Sequence, residues 1–145
     1  MHRSRITALA VLATLAATAC AATPEAKPAA QPAEATAPCS PQGTALRITA
    51  LHYETGELPT FDTDCLAAPA GEAFTIELKN DDVLEHNVSI YPEEGASFSE
   101  ALFHGELFRG PGEKRTYEVP ALEAGAYTFR CDEHLSTMKG AFVVA

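Results

Sequence analysis

Apolar and polar residues alternate with a period of two along most of the chain from residue 42 to residue 145. Successive side chains of a β-strand point to opposite faces, so this period predicts half-buried strands rather than helices. Turn residues separate the alternating segments. The predicted inward-facing series are Leu46, Ile48, Ala50 and His52; Phe74, Ile76 and Leu78; His86, Val88 and Ile90; Tyr117 and Val119; and Tyr127, Phe129 and Cys131, with a last apolar run from Gly140 to Ala145.

Short strands with such turns over about 100 residues favour an antiparallel β-sandwich. A chain of 145 residues leaves little room for a second domain. The expected fold is therefore all-β, with a single domain at 42–145. The stretch 92–112 departs from the alternation, and its segment from Ser97 to Phe103 predicts a short helix.

The first part of the chain is expected to lie outside the folded domain. Residues 1–19 combine a basic start with an apolar run of the length of a signal-peptide core, and they predict an export signal. Residues 20–41 are rich in alanine and proline and carry few residues that could form a core, so they predict an unfolded tether. Cys20 follows a small-x-small arrangement and resembles the cysteine of a bacterial lipoprotein signal. A lipid anchor at Cys20 is favoured over a soluble exported protein, and both alternatives place the domain in the periplasm or at the outer face of a bacterial membrane.

The acidic charge of the chain narrows the choice of partners. The formal net charge is −10 at pH 7. Such a surface repels phosphate backbones and argues against nucleic acid as a partner. We expect a monomer that meets other proteins.

A short loop near the C-terminus carries the candidate chemistry. The sequence CDEHLSTM places the thiol of Cys131, the imidazole of His134 and the thioether of Met138 within eight residues, and Met1 is the only other methionine. Together with a second imidazole, these groups form the ligand set that selects a blue-copper centre. His86 is the natural second imidazole, since His86 and Cys131 both belong to inward-facing series. The pattern predicts one copper ion that cycles between Cu(I) and Cu(II).

Parts of the last 100 residues resemble a known family. The segment VLEHNV at 83–88, the segment AGAYTFRC at 124–131 and the tail that contains His134, Met138 and Gly140 are similar to the cupredoxins, the group of plastocyanin, pseudoazurin and amicyanin. This resemblance implies a Greek-key β-sandwich with type 1 copper at one end.

The resemblance also implies a role for each residue of the site. His86, Cys131 and His134 would be the equatorial ligands, and Met138 would be the long axial ligand. Asn87 resembles the asparagine that ties the two ligand loops together by hydrogen bonds in this family.

Two further cysteines need an explanation in an exported protein. Four cysteines stand at positions 20, 39, 65 and 131. With Cys131 in the metal motif and Cys20 in the lipoprotein context, Cys39 and Cys65 are the candidate disulfide pair. Four cysteines allow three pairings, so this connectivity is a hypothesis.

The predicted function is transfer of single electrons between redox partners of the cell envelope, such as a c-type cytochrome or a terminal oxidase or reductase. Electrons are expected to pass through the edge of His134, with Leu135 as an apolar docking contact. Acidic residues beside the ligands suggest a rim that steers a basic partner, with a plain solvated acidic face as the alternative. These residues are Asp81, Asp82, Glu85, Asp132 and Glu133.

Other classes of protein fit the sequence less well. A multicopper oxidase or nitrite reductase needs His-x-His pairs or histidines beside the cysteine, and a dinuclear copper centre needs a second cysteine in the loop. The sequence has none of these features. We therefore do not expect an enzyme. A zinc site seldom uses methionine. The main alternative is an extracytoplasmic protein that binds or delivers copper without a redox cycle, followed by a sandwich that binds no metal.

Overall fold

The computed structural model describes residues 39–41, 43–52 and 57–145. The predicted signal at 1–19, the candidate lipid site Cys20 and the predicted tether apart from residues 39–41 lie outside the described residues. Within the described part of the chain, no helix has the length and apolar character needed to cross a membrane.

The described residues form strands joined by loops, which confirms the all-β prediction. A single turn of 3₁₀ helix, Phe98–Glu100, lies where the sequence predicts a short helix. The strands are β1 Ala45–Ala50, β2 Cys65–Ala68, β3 Phe74–Asn80, β4 Glu85–His86, β5 Ser89–Tyr91, β6 Phe108–Arg109, β7 Glu113–Val119, β8 Gly125–Arg130 and β9 Lys139–Val144.

Two main sheets and a small ribbon make up the sandwich. One sheet has the order β1-β3-β7, the other has the order β2-β9-β8-β5, and β4 pairs with β6. The pairs β1 with β3 and β2 with β9 are parallel, whereas the other pairs are antiparallel. The two parallel pairs differ from the expected antiparallel arrangement. The sequence could not predict them, because alternation along one strand indicates its buried face but not the direction of the neighbouring strand.

The core lies between the two main sheets. Phe74 of β3 stacks on Phe142 of β9, with ring centroids 5.5 Å apart. Phe129 of β8 meets Phe61, which precedes β2, at 5.6 Å. The inward-facing residues of β3 are all buried and alternate with half-buried ones, as predicted. Removal of this apolar surface from water is the main favourable contribution to folding.

The predicted series His86, Val88 and Ile90 is not one strand. β4 pairs with β6, whereas β5 pairs with β8 of the main sheet. Every residue from His86 to Tyr91 is buried. The loop at Phe103 pairs with the free edge of β5, where the Ile90 N–H donates to the Phe103 carbonyl at 2.9 Å. The break between the strands brings His86 to the end of the sandwich.

The first strand is shorter than the alternation suggests. β1 ends at Ala50, and the next residues leave the sheet, where the Leu51 N–H donates to the Thr60 carbonyl at 3.0 Å. The side chain of His52 is 55% exposed, so its predicted place on the inward face is wrong.

A disulfide bond joins Cys39 to Cys65 and spans 26 positions of sequence, with Cα atoms 6.0 Å apart. It fastens the segment before β1 to the first residue of β2. Closing a loop of this size in the unfolded chain stabilises the folded state by about 3 kcal/mol in the chain-entropy description.

One glycine allows a close approach next to the metal loop. A Cβ at Gly140 would overlap the backbone carbonyl of Asp64 and the ring of Phe129. The missing side chain lets the chain at Asp64 lie against β9, where the Ala141 N–H donates to the Asp64 carbonyl at 2.8 Å. This contact holds the start of β9, and therefore the end of the loop that carries Met138, against the segment that leads into β2 of the same sheet.

Candidate metal centre

Four candidate ligands meet at one end of the sandwich. His86 is the last residue of β4, Cys131 directly follows β8, and Met138 directly precedes β9. β8 and β9 are antiparallel neighbours with Arg130 opposite Lys139, so the loop between them must return on itself. The Cys131 N–H closes this loop by donating to the Met138 carbonyl at 2.8 Å.

The donor atoms are close enough to share one ion. The Cys131 Sγ lies 3.8 Å from the Nδ1 of His86 and 3.6 Å from the Nδ1 of His134. One donor atom from each of these residues lies within 4.8 Å of the others. Nitrogen and thiolate ligands bind metals such as zinc at about 2.0–2.3 Å, so two ligands of one ion lie about 3–4.5 Å apart. The two measured sulfur–nitrogen distances fit this range.

Met138 belongs to the same buried cluster as Cys131. Its N–H donates to the His134 carbonyl at 3.0 Å, and this backbone hydrogen bond closes a turn between His134 and Met138. His86, Cys131 and Met138 are each 0% exposed, whereas His134 is half-buried. The site is therefore dry and reaches the surface through one imidazole.

The surroundings of the Cys131 thiol have opposing effects on its ionisation. Burial raises the pKa of Cys131, and the backbone N–H groups of Asn87, Glu133 and His134 act in the opposite direction. A bound metal ion replaces the thiol proton, and these N–H groups then stabilise the thiolate.

The imidazole of His134 is suited to metal binding in the same way. Burial, followed by the neighbouring His86, lowers the pKa of His134. The two rings are tilted, with centroids 4.8 Å apart. A neutral imidazole offers an unprotonated nitrogen, so His134 is ready to bind a metal at neutral pH.

The Asn87 side chain connects the two ligand segments. Its Oδ1 accepts the backbone N–H of Asp132 at 2.9 Å, and its Nδ2 donates to the Asp132 Oδ2 at 2.7 Å. The same Nδ2 donates to the Gly105 carbonyl at 2.8 Å. Asn87 thus holds the loop that follows Cys131 against the strand that carries His86, as the family resemblance implies.

Asp132 is a hub of hydrogen bonds rather than a surface charge. Its carboxylate accepts from the Tyr91 hydroxyl at 2.5 Å and from Ser89 Oγ at 2.7 Å, and it lies 3.5 Å from His104 Nδ1. Burial alone would raise the pKa of Asp132, but hydrogen bonds from Tyr91, Ser89 and Asn87 lower it below its ordinary value. The acid beside Cys131 is therefore held as an anion.

The predicted acidic rim is only partly present. Asp82 is fully buried, and the side chain of Asp132 is only 9% exposed. Glu133 and Glu85 are exposed, and Asp81 is half-buried. Two of the five acids therefore lie inside the fold, where their hydrogen bonds concern the metal site and not a docking partner.

Several residues around the site escaped prediction. Ser89 and Tyr91 alternate with the predicted inward-facing residues Val88 and Ile90, so the sequence places them on the outward face. Both are buried, however, and their hydroxyl groups donate to Asp132. The ring of His104 packs against Phe98, with centroids 4.0 Å apart, and its Nδ1 contacts Asp132. No motif marks these positions, because Asp132, which all three contact, is distant from them in sequence.

A β-sandwich that gathers two imidazoles, one thiolate and one thioether at one end defines a mononuclear type 1 copper protein. The family model of the cupredoxin-like domain matches residues 5–144, and the chain belongs to this family. The family resemblance seen in the sequence is therefore confirmed. None of the curated protein sequences matches the chain.

Several solved structures share this fold. Auracyanin A, a "blue" copper protein of Chloroflexus aurantiacus, is 22% identical, with a TM-score of 0.58 over 71% of this chain and 99% of its own. Auracyanin of Roseiflexus castenholzii is 21% identical, with a TM-score of 0.55 over 70% of this chain and 97% of its own. Rusticyanin of Thiobacillus ferrooxidans is 16% identical, with a TM-score of 0.56 over 73% of this chain and 80% of its own.

The hydrogen bonds of Asp132 predict a strong effect of its removal. Asp132→Ala leaves the buried hydroxyl groups of Tyr91 and Ser89 without their acceptor, and each unsatisfied group costs about 1–3 kcal/mol. The Asn87 Nδ2 keeps its hydrogen bond to the Gly105 carbonyl. We expect the free energy of unfolding of the metal-free protein to fall by about 2–4 kcal/mol in urea titrations. Glu133→Ala removes the adjacent exposed acid and should change it by less than about 0.5 kcal/mol. Equal losses in the two variants would contradict this role of Asp132.

Proposed function

We propose that this protein carries single electrons on one copper ion. The observation that supports the proposal is the position of the Cys131 sulfur, 3.8 Å and 3.6 Å from the Nδ1 atoms of His86 and His134, in a loop that also buries Met138. Soft sulfur favours Cu(I) and imidazole nitrogen suits Cu(II), so the mixed set tolerates both states. His86, Cys131, His134 and Met138 would hold the copper ion, which would supply reversible one-electron chemistry.

The surroundings of the ligands suit a carrier whose site changes little between oxidation states. The loop from Cys131 to Met138 is closed by its own backbone hydrogen bonds. Asn87 and Asp132 fix that loop to the strand of His86 through paired hydrogen bonds. Ligands that are held by their own packing do not have to reorganise when an electron arrives.

Copper delivery without a redox cycle is a weaker proposal. A protein that hands copper to another must let the partner reach the ligands. His86, Cys131 and Met138 are fully buried, and only His134 is within reach of a partner. An electron can pass through that imidazole, whereas a metal ion cannot leave without opening the loop.

The visible spectrum tests the copper site directly. After addition of Cu(II), the purified protein should show an intense thiolate-to-copper band that bleaches with a mild reductant and returns on oxidation. Cys131→Ser should abolish the band, because the thiolate is the source of its intensity. His104→Gln changes a histidine outside the donor set and should keep it. A wild-type protein that binds Cu(II) without such a band would refute the electron-carrier proposal.

We propose that partners dock around His134. Leu135, the next residue, is 52% exposed and offers an apolar contact beside the imidazole edge. Glu133, which is also exposed, places a negative charge on the other side of His134. Together with the net charge of −10, this arrangement favours a partner with a basic face, such as a c-type cytochrome.

Charge reversal tests the docking surface. Glu133→Lys should slow electron exchange with a basic c-type cytochrome several-fold at low salt, and the difference should shrink as salt screens the charges. Glu118→Lys makes the same charge change on β7, opposite Thr75 at the far end of β3, and should slow exchange much less. Stopped-flow rates over a range of ionic strengths provide the measurement. Equal slowing in both variants would mean that only the total charge matters.

We propose further that the domain works outside the cytoplasm. The disulfide between Cys39 and Cys65 is typical of oxidising compartments. The basic and apolar start of the chain and the lipoprotein-like context of Cys20 support export and a lipid anchor. A tethered domain could then move between partners at a membrane surface.

Fractionation of bacterial cells tests the anchor. The full chain should sediment with membranes, and Cys20→Ala should move it to the soluble periplasmic fraction, because a lipid is attached through that thiol. Cys39→Ala with Cys65→Ala removes two other cysteines and should leave the protein on the membrane. Membrane association that persists in Cys20→Ala would exclude a lipid anchor at this position.

A further inference from the structure

A buried carboxylate lies behind one of the copper ligands. The Oδ2 of Asp82 lies 3.0 Å from the Nε2 of His86, and both side chains are 0% exposed. The other nitrogen of the same ring, Nδ1, faces the Cys131 sulfur. A nitrogen that binds copper carries no proton, so with copper bound at Nδ1 the ring proton would lie on Nε2 and would be donated to Asp82.

The turn before β4 holds Asp82 in place. Its Oδ1 accepts the backbone N–H of Val83 at 2.6 Å, and its own N–H donates to the Asn80 Oδ1 at 2.9 Å. The Asn80 Nδ2 in turn donates to the carbonyls of Leu84 at 2.9 Å and of Phe108 at 3.1 Å. These bonds tie the turn to β6, the partner of the strand that carries His86. Asp82 is therefore part of a fixed frame.

The charge of Asp82 is not matched by a lysine or an arginine within the part of the chain that the structure describes. Its ion-pair contacts there are His86 and His52, whose Nδ1 lies 3.8 Å from the Asp82 Oδ1. Lys79 pairs with the neighbouring Asp81 at 2.8 Å. In a buried environment of low dielectric, the negative charge acts on the His86 ring with little screening.

We infer that Asp82 is a positioning residue that sets both the orientation and the electron donation of His86. By accepting the Nε2 proton it keeps Nδ1 free to bind copper, and its negative charge makes the imidazole a stronger donor. A stronger donor stabilises Cu(II) more than Cu(I), so Asp82 lowers the reduction potential. This inference rests on the proposed copper site and names a residue outside the ligand set.

The reduction potential distinguishes this role from simple packing. Asp82→Asn keeps the size of the side chain and removes its charge. Loss of a carboxylate that supports a metal-binding histidine lowers metal affinity by about 10–100-fold. If Cu(II) affinity falls at least tenfold more than Cu(I) affinity, the potential rises by about 59 mV or more for this one-electron couple. Asp81→Asn removes the adjacent acid, which faces Lys79, and should leave the potential close to that of the wild type.

Nitrogen NMR of the metal-free protein provides a second readout. In the wild type, His86 should be in the Nε2–H form. In Asp82→Asn, the amide can donate to Nε2, and the Nδ1–H form should appear, which competes with copper binding. A wild-type His86 in the Nδ1–H form would overturn the inference, and this measurement does not depend on the folding of the variant. A potential of Asp82→Asn equal to that of Asp81→Asn would overturn it as well.

The two proposals fail in different ways. Absence of a blue band in the wild-type protein would refute the copper carrier itself. A blue wild-type protein whose potential does not respond to Asp82→Asn would refute only the role of Asp82.

Discussion

The structure of the metal site depends on the paired hydrogen bonds between Asn87 and Asp132. Both residues adjoin a ligand, yet they stand 45 positions apart in the sequence. One side chain therefore joins two segments that the fold brings together only when the sandwich is complete. Tyr91, Ser89 and Gly105 extend this contact into the second sheet and the loop that covers it. The ligand geometry is thus a property of the whole domain and not of the short loop that contains most of the ligands.

The two buried acids have complementary positions. Asp132 follows Cys131 on the thiolate side, and Asp82 lies behind His86 on the imidazole side. Hydrogen-bond donors compensate each carboxylate for the loss of water, which is the condition under which a buried charge can be tolerated. Both carboxylates adjoin residues of the copper site, so their negative charges would favour the more positive oxidation state of a bound metal ion. Part of the negative charge of this protein therefore lies inside the fold and is not included in a count of surface charges.

The sequence predicts the chemistry of this protein better than its architecture. The ligands were found because soft sulfur, imidazole and thioether occur at a spacing that few other sites use. The alternation of β3 is predicted correctly, since one of its faces lies toward the core. In β8, Phe129 is buried as predicted, but Arg130, which the alternation places on the outward face, is buried as well. The division of the series His86 to Ile90 into two strands was missed, because a segment buried on all sides shows no alternation. The sequence predicts Asp82 and Asp132 as surface acids. The donors to Asp132 come from segments that only the tertiary fold brings close. The donors to Asp82, Val83 and His86, are its neighbours in sequence, but the pattern of residues does not show that Asp82 is buried.

The disulfide between Cys39 and Cys65 also determines how a mechanical load would enter the domain. A pull on the chain before Cys39 passes through the covalent bridge to the start of β2. The segment between the two cysteines, including β1, is then a shielded loop that bears no tension. β2 pairs with β9, the strand that follows Met138, so the force spreads into the sheet that supports the ligand loop. A domain held at a membrane by its N-terminal segment would resist tension along the rigid sheet of its copper site, while the first strand stays unloaded.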